Sequence, residues 1–337
     1  MTSPLRRLAA RVHRSATAIG LESARAIEED RRSRHDPLGA RAPYATEMVV
    51  RELLASAGGV DRLHDAAGFV EFLHTCIEPR GFDVTWLRRA SGIDEHAHRF
   101  EAIVARLASE TPPIPVATAL EIARVLDDLK ANRQHYQEGL WLGDVGTHAQ
   151  AGSSDGRMGR VLATAVRFGR PVRCLELGTA YGVSALFLLA ELDRTSPTGR
   201  LCTVEIREPQ FSIARTLLES RYPDRVRCEL VGRADDLPRL LPQIGPVDLV
   251  FHDAEHSGAA YRRDFELLVP HLSSGAVVIF DNIRWNHRVF SGGESGTYEG
   301  WRVLAEDQRV VSAAEVTGGD VGDAWGLLLV GAPASTS

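Results

Sequence analysis

Apolar positions along the first 140 residues recur every third or fourth residue, in "EMVVRELLASAGG", "RFEAIVARLAS" and "VATALEIARVLDDLKANRQHY". That period predicts helices, punctuated by Gly58-Gly59 and by the "TPPIP" run at 111–115, with no segment that reads as a strand. From residue 172 the texture changes. Short apolar, β-branched runs, "RCLELG" (173–178), "RLCTVEI" (200–206), "VRCELVG" (226–232), "VDLVFHD" (247–253) and "AVVIFDN" (276–282), are expected strands. Helical stretches at Tyr181–Leu192, Pro209–Ser220 and Ala259–Leu268, with a short turn at Leu237–Leu241, fit between them. Such alternation predicts a parallel sheet covered on both faces. After a last helix near Gly300–Glu306, "RVVSAAEV" and "AWGLLLVG" are joined through "TGGDVGD". That connection is rich in turn residues and too short for a crossover helix, so the final pair should be antiparallel.

The fold class expected is therefore α/β, a mostly parallel sheet of seven strands with an antiparallel C-terminal hairpin, preceded by an all-helical module. The boundaries fall at 1–140 for the helical module and 141–157 for a loop or linker, where "LGDVGTHAQAGSSDGR" is rich in Gly and Ser. The α/β domain takes 158–333.

Composition narrows the classes without choosing one. A chain of 337 residues with 44% hydrophobic content can bury a large core. A formal charge of -6 and a pI near 6.1 argue against a surface that tracks phosphates, so nucleic acid is not an expected partner. Cys76, Cys174, Cys202 and Cys228 have no C-x-x-C spacing and read as buried free thiols of a reducing cytoplasm. No stretch approaches the roughly 20 apolar residues of a membrane span, and the Arg-rich N-terminus lacks the apolar core of a signal peptide. Lys130 is the one lysine among 39 basic residues, which argues against a lysine as a catalytic base.

The chemistry-bearing residues gather at strand ends. The first strand runs into "LELGTAYGVS", where Gly178 and Gly182 permit close backbone approach and the following helix N-terminus favours negative charge. The dinucleotide fingerprint is not met, because position 180 is alanine, and a P-loop is excluded for want of Gly-Lys-Ser/Thr. The second strand ends in Glu205, a carboxylate able to accept two ribose hydroxyls. The fourth ends in Asp253 with His256 three residues on, and the fifth breaks into Asp281-Asn282. Oxygen ligands converging there suit a hard octahedral cation such as magnesium. His252 should point to the opposite face from Asp253 and be structural.

Over roughly residues 155–331 the chain resembles the class I S-adenosylmethionine-dependent methyltransferases, on "CLELGTAYGVSALFLL" and on "TVEI" ending in Glu205. The resemblance implies their Rossmann-like sheet. It also implies that Gly178, Ala180, Gly182 and Ser184 line the methionine and ribose of S-adenosylmethionine, with Glu176 near its amino group. Glu205 would bind the ribose hydroxyls, Ile206 would lie against the adenine, and Ala234 and Asp235 would border it, with Asp253 also beside the cofactor. Within this class, Asp253 to His256 and the "DNIRWN" run at 281–286 closely resemble the cation-dependent O-methyltransferases of the catechol and caffeoyl-coenzyme A type. The implied metal ligands are Asp253, Asp281 and Asn282. That family often has a lysine base where this chain has His256, and an imidazole of near-neutral pKa is a competent base.

The function expected is divalent-metal-dependent O-methylation of a small-molecule phenol, catechol or sugar hydroxyl, as in natural-product tailoring. The alternative is a metal-independent N- or O-methyltransferase on the same fold. A different class of protein, a cofactor-binding scaffold, would keep the fold without methyl transfer. Trp285, Tyr298 and Trp301 are candidates to wall the acceptor site. The helical module is expected to serve as a lid, an acceptor selector or the interface of a homodimer or higher oligomer.

Overall fold

The computed structural model describes residues 66–77, 80–90, 94–131, 156–232, 236–284, 296–318 and 324–331. The expected helix at 47–59, most of the expected linker, Ala234, Asp235 and Trp285 lie outside them. In chain order the elements are α1 (Ala66–Ile77), β1 (Asp83–Arg88), α2 (Glu95–Ser109), α3 (Val116–Ala131) and α4 (Gly156–Gly169). There follow β2 (Arg173–Leu177), α5 (Val183–Thr195), β3 (Arg200–Glu205), α6 (Glu208–Arg221), β4 (Val226–Leu230) and α7 (Leu237–Ile244). The last are β5 (Val247–His252), α8 (Gly258–Leu268), a short 3-10 turn at Val269–His271, β6 (Leu272–Phe280), α9 (Thr297–Ala305), β7 (Val310–Thr317) and β8 (Ala324–Val330).

The strands form one sheet in the order β1-β7-β8-β6-β5-β2-β3-β4. The five central and distal strands β2 to β6 pair in parallel, and β8 pairs antiparallel with both β6 and β7, as the short connection between the last two requires. From β2 the chain moves outward to β3 and β4, then returns to β5 on the other side of β2. The carboxyl ends of β2 and β5 therefore flank the switch point, the place where open α/β sheets bind ligands.

The seven expected strands are joined by an eighth. β1 pairs antiparallel with β7 at the sheet edge, within the module expected to be all helical. The sequence "DVTWLR" is β-branched and aromatic enough for a strand, but its side chains are at most half-buried and it is six residues long. Helical periodicity on both flanks hides so short a signal. The rings of Trp86 and Phe100 pack edge-to-face with centroids 6.0 Å apart.

One apolar cluster spans the N-terminal helices and one face of the sheet. It contains Phe72, Phe100, Leu107 and Ile122 together with Val161, Phe187, Leu249 and Trp325. Phe72 and Phe187 have ring centroids 6.0 Å apart, and Phe82 meets Trp325 at 5.5 Å. A buried aromatic side chain in such a cluster contributes on the order of 2–3 kcal/mol from the surface it removes from water. Burial on this scale ties α1, α2 and α3 to α4 and α5. The second cluster lies on the opposite face, where Tyr261, Phe265, Phe280 and Trp301 pack α8 and α9 against β5, β6 and β8. Cys76, Cys174 and Cys202 are buried free thiols, and Cys228 is half-buried. Among the described residues no helix is long and apolar enough to cross a membrane.

Candidate active site

The β2–α5 turn is built on three left-handed residues, Gly178 (φ 96°), Ala180 (φ 44°) and Gly182 (φ 84°). At Gly178 the left-handed backbone coincides with a close approach. A Cβ there would stand 2.1 Å from the carbonyl oxygen of Asp253, so only glycine lets the ends of β2 and β5 close on each other. Ala180 stands in the left-handed region despite its Cβ, at a cost of about 1 kcal/mol. Its N–H donates to Glu205 Oε2 at 2.8 Å, which holds the turn in place.

Glu205 has a second task. Its Oε1 accepts from the N–H groups of Ile206 (2.8 Å) and Arg207 (2.9 Å), fixing the corner after β3. The carboxylate thus joins two loops; Oε1 accepts twice and Oε2 once, so Oε2 keeps a further lone pair. Ile206 projects into solvent beside it with 59% of its surface exposed, an unusual position for a bare isoleucine.

Glu176 is wholly buried beneath the turn. Thr203 Oγ1 donates to its Oε2, and Thr179 and Thr203 share a hydrogen bond, while its Oε1 has no hydrogen-bond partner of good geometry among the described residues. Burial raises its pKa to about 7, against the lowering effect of the Ser184 and Thr203 hydroxyls, with the Glu205 charge adding to the rise. A buried acid with an open acceptor oxygen fits an ammonium group. The threonines were not singled out from sequence, because neither has a motif; only the pairing of Glu176 with Thr203 across β2 and β3 brings them under the turn.

At the neighbouring strand ends Asp253, His256 and Asp281 converge, with one ligand atom from each within 4.8 Å of the others. His256 Nε2 lies 3.1 Å from Asp253 Oδ1. Asn282, left-handed at φ 54°, turns its amide so that Nδ2 donates to Asp281 Oδ2. Backbone bonds align the strand ends: Asp253 N donates to Leu177 O at 2.8 Å, and Asp281 N to His252 O at 3.0 Å. Burial pushes Asp253 up to about 7; its hydrogen bond with Asp281 opposes this and the charges of Glu176 and Glu205 add to it. Asp281 is raised well above the ordinary carboxylate range, by burial and then by the facing Asp253 charge. Two facing carboxylates, Asp281 buried and Asp253 half-buried, with Asp281 raised by the charge of Asp253, fit a cation between them. The His256 pKa is lowered by burial, against the pull of Asp281.

The remaining candidates separate. His252 is fully buried, as a residue facing away from Asp253 should be, with Nε2 2.8 Å from Asp264 Oδ2. Trp301 is buried core; its indole N–H donates to Glu315 Oε1 at 3.0 Å, and the Tyr298 hydroxyl lies 3.1 Å from the same oxygen. Gly178, Ala180, Gly182, Ser184 and Glu205 line one stretch of the sheet's carboxyl edge, and Asp253, His256, Asp281 and Asn282 the next.

Residues 175–283 match a family model described as a methyltransferase domain. The match runs from β2 to the turn after β6 and takes in both groups of residues. The chain is 35% identical over 136 residues to the probable O-methyltransferase Rv1703c of Mycobacterium tuberculosis, across 37% of this chain and 55% of that protein. The chain thus covers little more than half the length of that relative. Among solved structures, it is similar to an O-methyltransferase from Bacillus cereus in complex with SAH, at 24% identity and a TM-score of 0.49 over 65% of this chain and 92% of that one. It is also similar to TomG from Streptomyces achromogenes, involved in tomaymycin synthesis and crystallised with SAM, at 24% identity and a TM-score of 0.48 over 63% of this chain and 89% of that one.

Proposed function

We propose that the protein transfers the methyl group of S-adenosylmethionine to a hydroxyl oxygen of a small molecule, with a divalent cation held by Asp253, Asp281 and Asn282. The observation that carries this reading is the juxtaposition of the Asp253, His256 and Asp281 cluster with the Gly178 turn, through the contact of Gly178 with the Asp253 carbonyl. Cofactor and acceptor sites that adjoin in this way bring a sulfonium methyl and an attacking oxygen together, and such alignment supplies much of a transfer reaction's acceleration.

In this reading the chain's own groups divide the work. Glu176 offers its open oxygen to the cofactor's ammonium, Glu205 the remaining lone pair of its Oε2 to the ribose hydroxyls, and Ile206 an apolar surface to the adenine. The two glycines leave room for the methionine portion, and Ser184 lies at the first turn of α5 beside it. Asp253 and Asp281 supply anionic oxygens, and Asn282 orients Asp281 through its amide. A bound magnesium or similar ion would lower the pKa of the acceptor hydroxyl. His256, neutral near pH 7 because burial depresses its pKa, accepts the proton that leaves that hydroxyl. The acceptor is a phenol, catechol or sugar hydroxyl, and the helical N-terminal module contributes to its selection or to assembly of a homo-oligomer.

The test is methyl transfer from S-adenosylmethionine to a panel of phenols, catechols and glycosides, with magnesium or manganese and with chelator. Transfer that requires the cation supports the reading. Transfer that survives exhaustive chelation would replace it with a metal-independent reaction, and cofactor binding without transfer to any acceptor would leave a binding protein.

A further inference from the structure

Asn282 is held in an unusual backbone conformation, and what holds it is a residue outside the cluster. With φ at 54°, Asn282 sits in the left-handed region that costs a residue with a Cβ on the order of 1 kcal/mol and persists where surrounding contacts fix it. The peptide plane entering Asn282 is that of the Asp281 carbonyl, so the orientation of that carbonyl and φ of Asn282 are geometrically linked. The Tyr261 hydroxyl donates to the Asp281 carbonyl oxygen from α8. On the other side of Asp281, its N–H is bound to the His252 carbonyl at 3.0 Å. Asp281 is thereby clamped at both backbone polar groups.

Tyr261 is itself held by packing. It is fully buried, with its ring centroid 4.9 Å from that of Phe280 and 5.2 Å from that of His252. Its helix is anchored at the N-terminus as well. Ser257 caps α8 by accepting from Ala260 N at 3.1 Å, and Gly258 meets Gly300 of α9 so closely that a Cβ on Gly300 would stand 2.3 Å from the Gly258 Cα. Thr297 Oγ1 at the start of α9 donates to the His256 carbonyl at 3.3 Å. One helix thus carries His256 just before its first turn and the hydroxyl that fixes Asp281 a turn later.

We propose that Tyr261 is a positioning residue: by clamping the Asp281–Asn282 peptide plane it holds the Asn282 amide against the Asp281 carboxylate, and with it the geometry of the cation site. The inference rests on the reading of that cluster as a cation site, and its test separates the two. Tyr261→Phe removes one oxygen and keeps the ring, so the packing with Phe280 and His252 survives. Full-length parent and variant would be titrated with manganese, followed by electron paramagnetic resonance, and with S-adenosylhomocysteine, followed by calorimetry. Backbone hydrogen exchange would be measured over residues 281–283.

The expected result is manganese affinity weakened tenfold or more and faster exchange over 281–283, with S-adenosylhomocysteine affinity within twofold of the parent. Unchanged manganese affinity and unchanged exchange would overturn the proposal. Loss of S-adenosylhomocysteine affinity along with manganese would overturn it too, since the effect would then be general unfolding; the thermal midpoint of each protein checks this directly. A parent that binds no manganese would sink the cation site, and exchange over 281–283 would still decide the clamp.

Discussion

Gly178 and Asp253 touch through their backbones at the switch point of the sheet, with no space for a side chain between the Gly178 Cα and the Asp253 carbonyl oxygen. This contact couples the β2 turn to the cluster at the end of β5. Gly178→Ala would place a Cβ 2.1 Å from that oxygen in a residue already at φ 96°. We expect it to cost roughly 3 kcal/mol in stability, from strain and overlap together. S-adenosylhomocysteine affinity should fall in the same variant. Urea unfolding and calorimetry measure the two, and an alanine variant as stable as the parent would contradict the contact.

Glu176 makes the stability of the ligand-free protein depend on pH. Burial raises its pKa from the ordinary 4.5 to about 7, so the folded state favours its protonated form. The stability this contributes is fully present below pH 4.5 and is lost as pH rises to about 7. By linkage the loss is about 3 kcal/mol. Glu176→Gln should remove that slope and leave the variant more stable than the parent at pH 8, as read from denaturation curves at several pH values. An ammonium ligand at Oε1 would favour the charged form, so cofactor binding by the parent should release protons near pH 7. Calorimetry in buffers of different ionisation enthalpy detects that release, and Glu176→Gln should abolish it.

Asp281 faces Asp253 across the cluster at an energetic cost when no cation is bound, because both carboxyls are pushed up by burial and Asp281 also by its neighbour's charge. We expect Asp281→Asn to raise the thermal midpoint of cation-free protein at pH 8 by an amount corresponding to about 1 kcal/mol or more, while abolishing cation-supported methyl transfer. Cofactor affinity should stay within a few-fold of the parent. A lowered midpoint in the absence of cations would show that the two carboxylates do not repel each other.

His256 should govern the acidic limb of the rate profile. Burial holds its pKa below the ordinary 6.5, so the limb of the parent's profile should lie below that value. Replacing it by Ala should reduce turnover by about 100-fold or more, within the range typical of a lost general base, and flatten that limb. S-adenosylhomocysteine binding should be unaffected. A variant that keeps the parent's profile would remove His256 from the proton-accepting role.

Much of this was legible along the chain because the chemistry sits where secondary structure breaks. Ala276 to Phe280 are apolar and buried, and Asp281-Asn282 follows at once; a parallel strand buried on both faces must announce its end in this way. The same holds for Glu205 at the end of β3 and Asp253 after β5. The glycine turn was legible too, although Ala180 could be known as left-handed only from the folded backbone.

β1 was not legible, since a six-residue edge strand with only half-buried side chains leaves little pattern between helices. Thr203 and Thr179 carry no motif and matter only because the register of β2 and β3 sets Thr203 against Glu176, with Thr179 bonded to Thr203. Tyr261 looks like any aromatic on the inner face of a helix, and its hydroxyl gains a purpose only from the carbonyl it meets 20 residues away. The sequence by itself determined which residues stand at strand ends, because local periodicity and turn chemistry are short-range properties. Which of those ends come together, and which buried hydroxyls hold them, was decided by the order of strands in the sheet and the packing of α8 and α9 against it, since those contacts join residues that no local pattern connects.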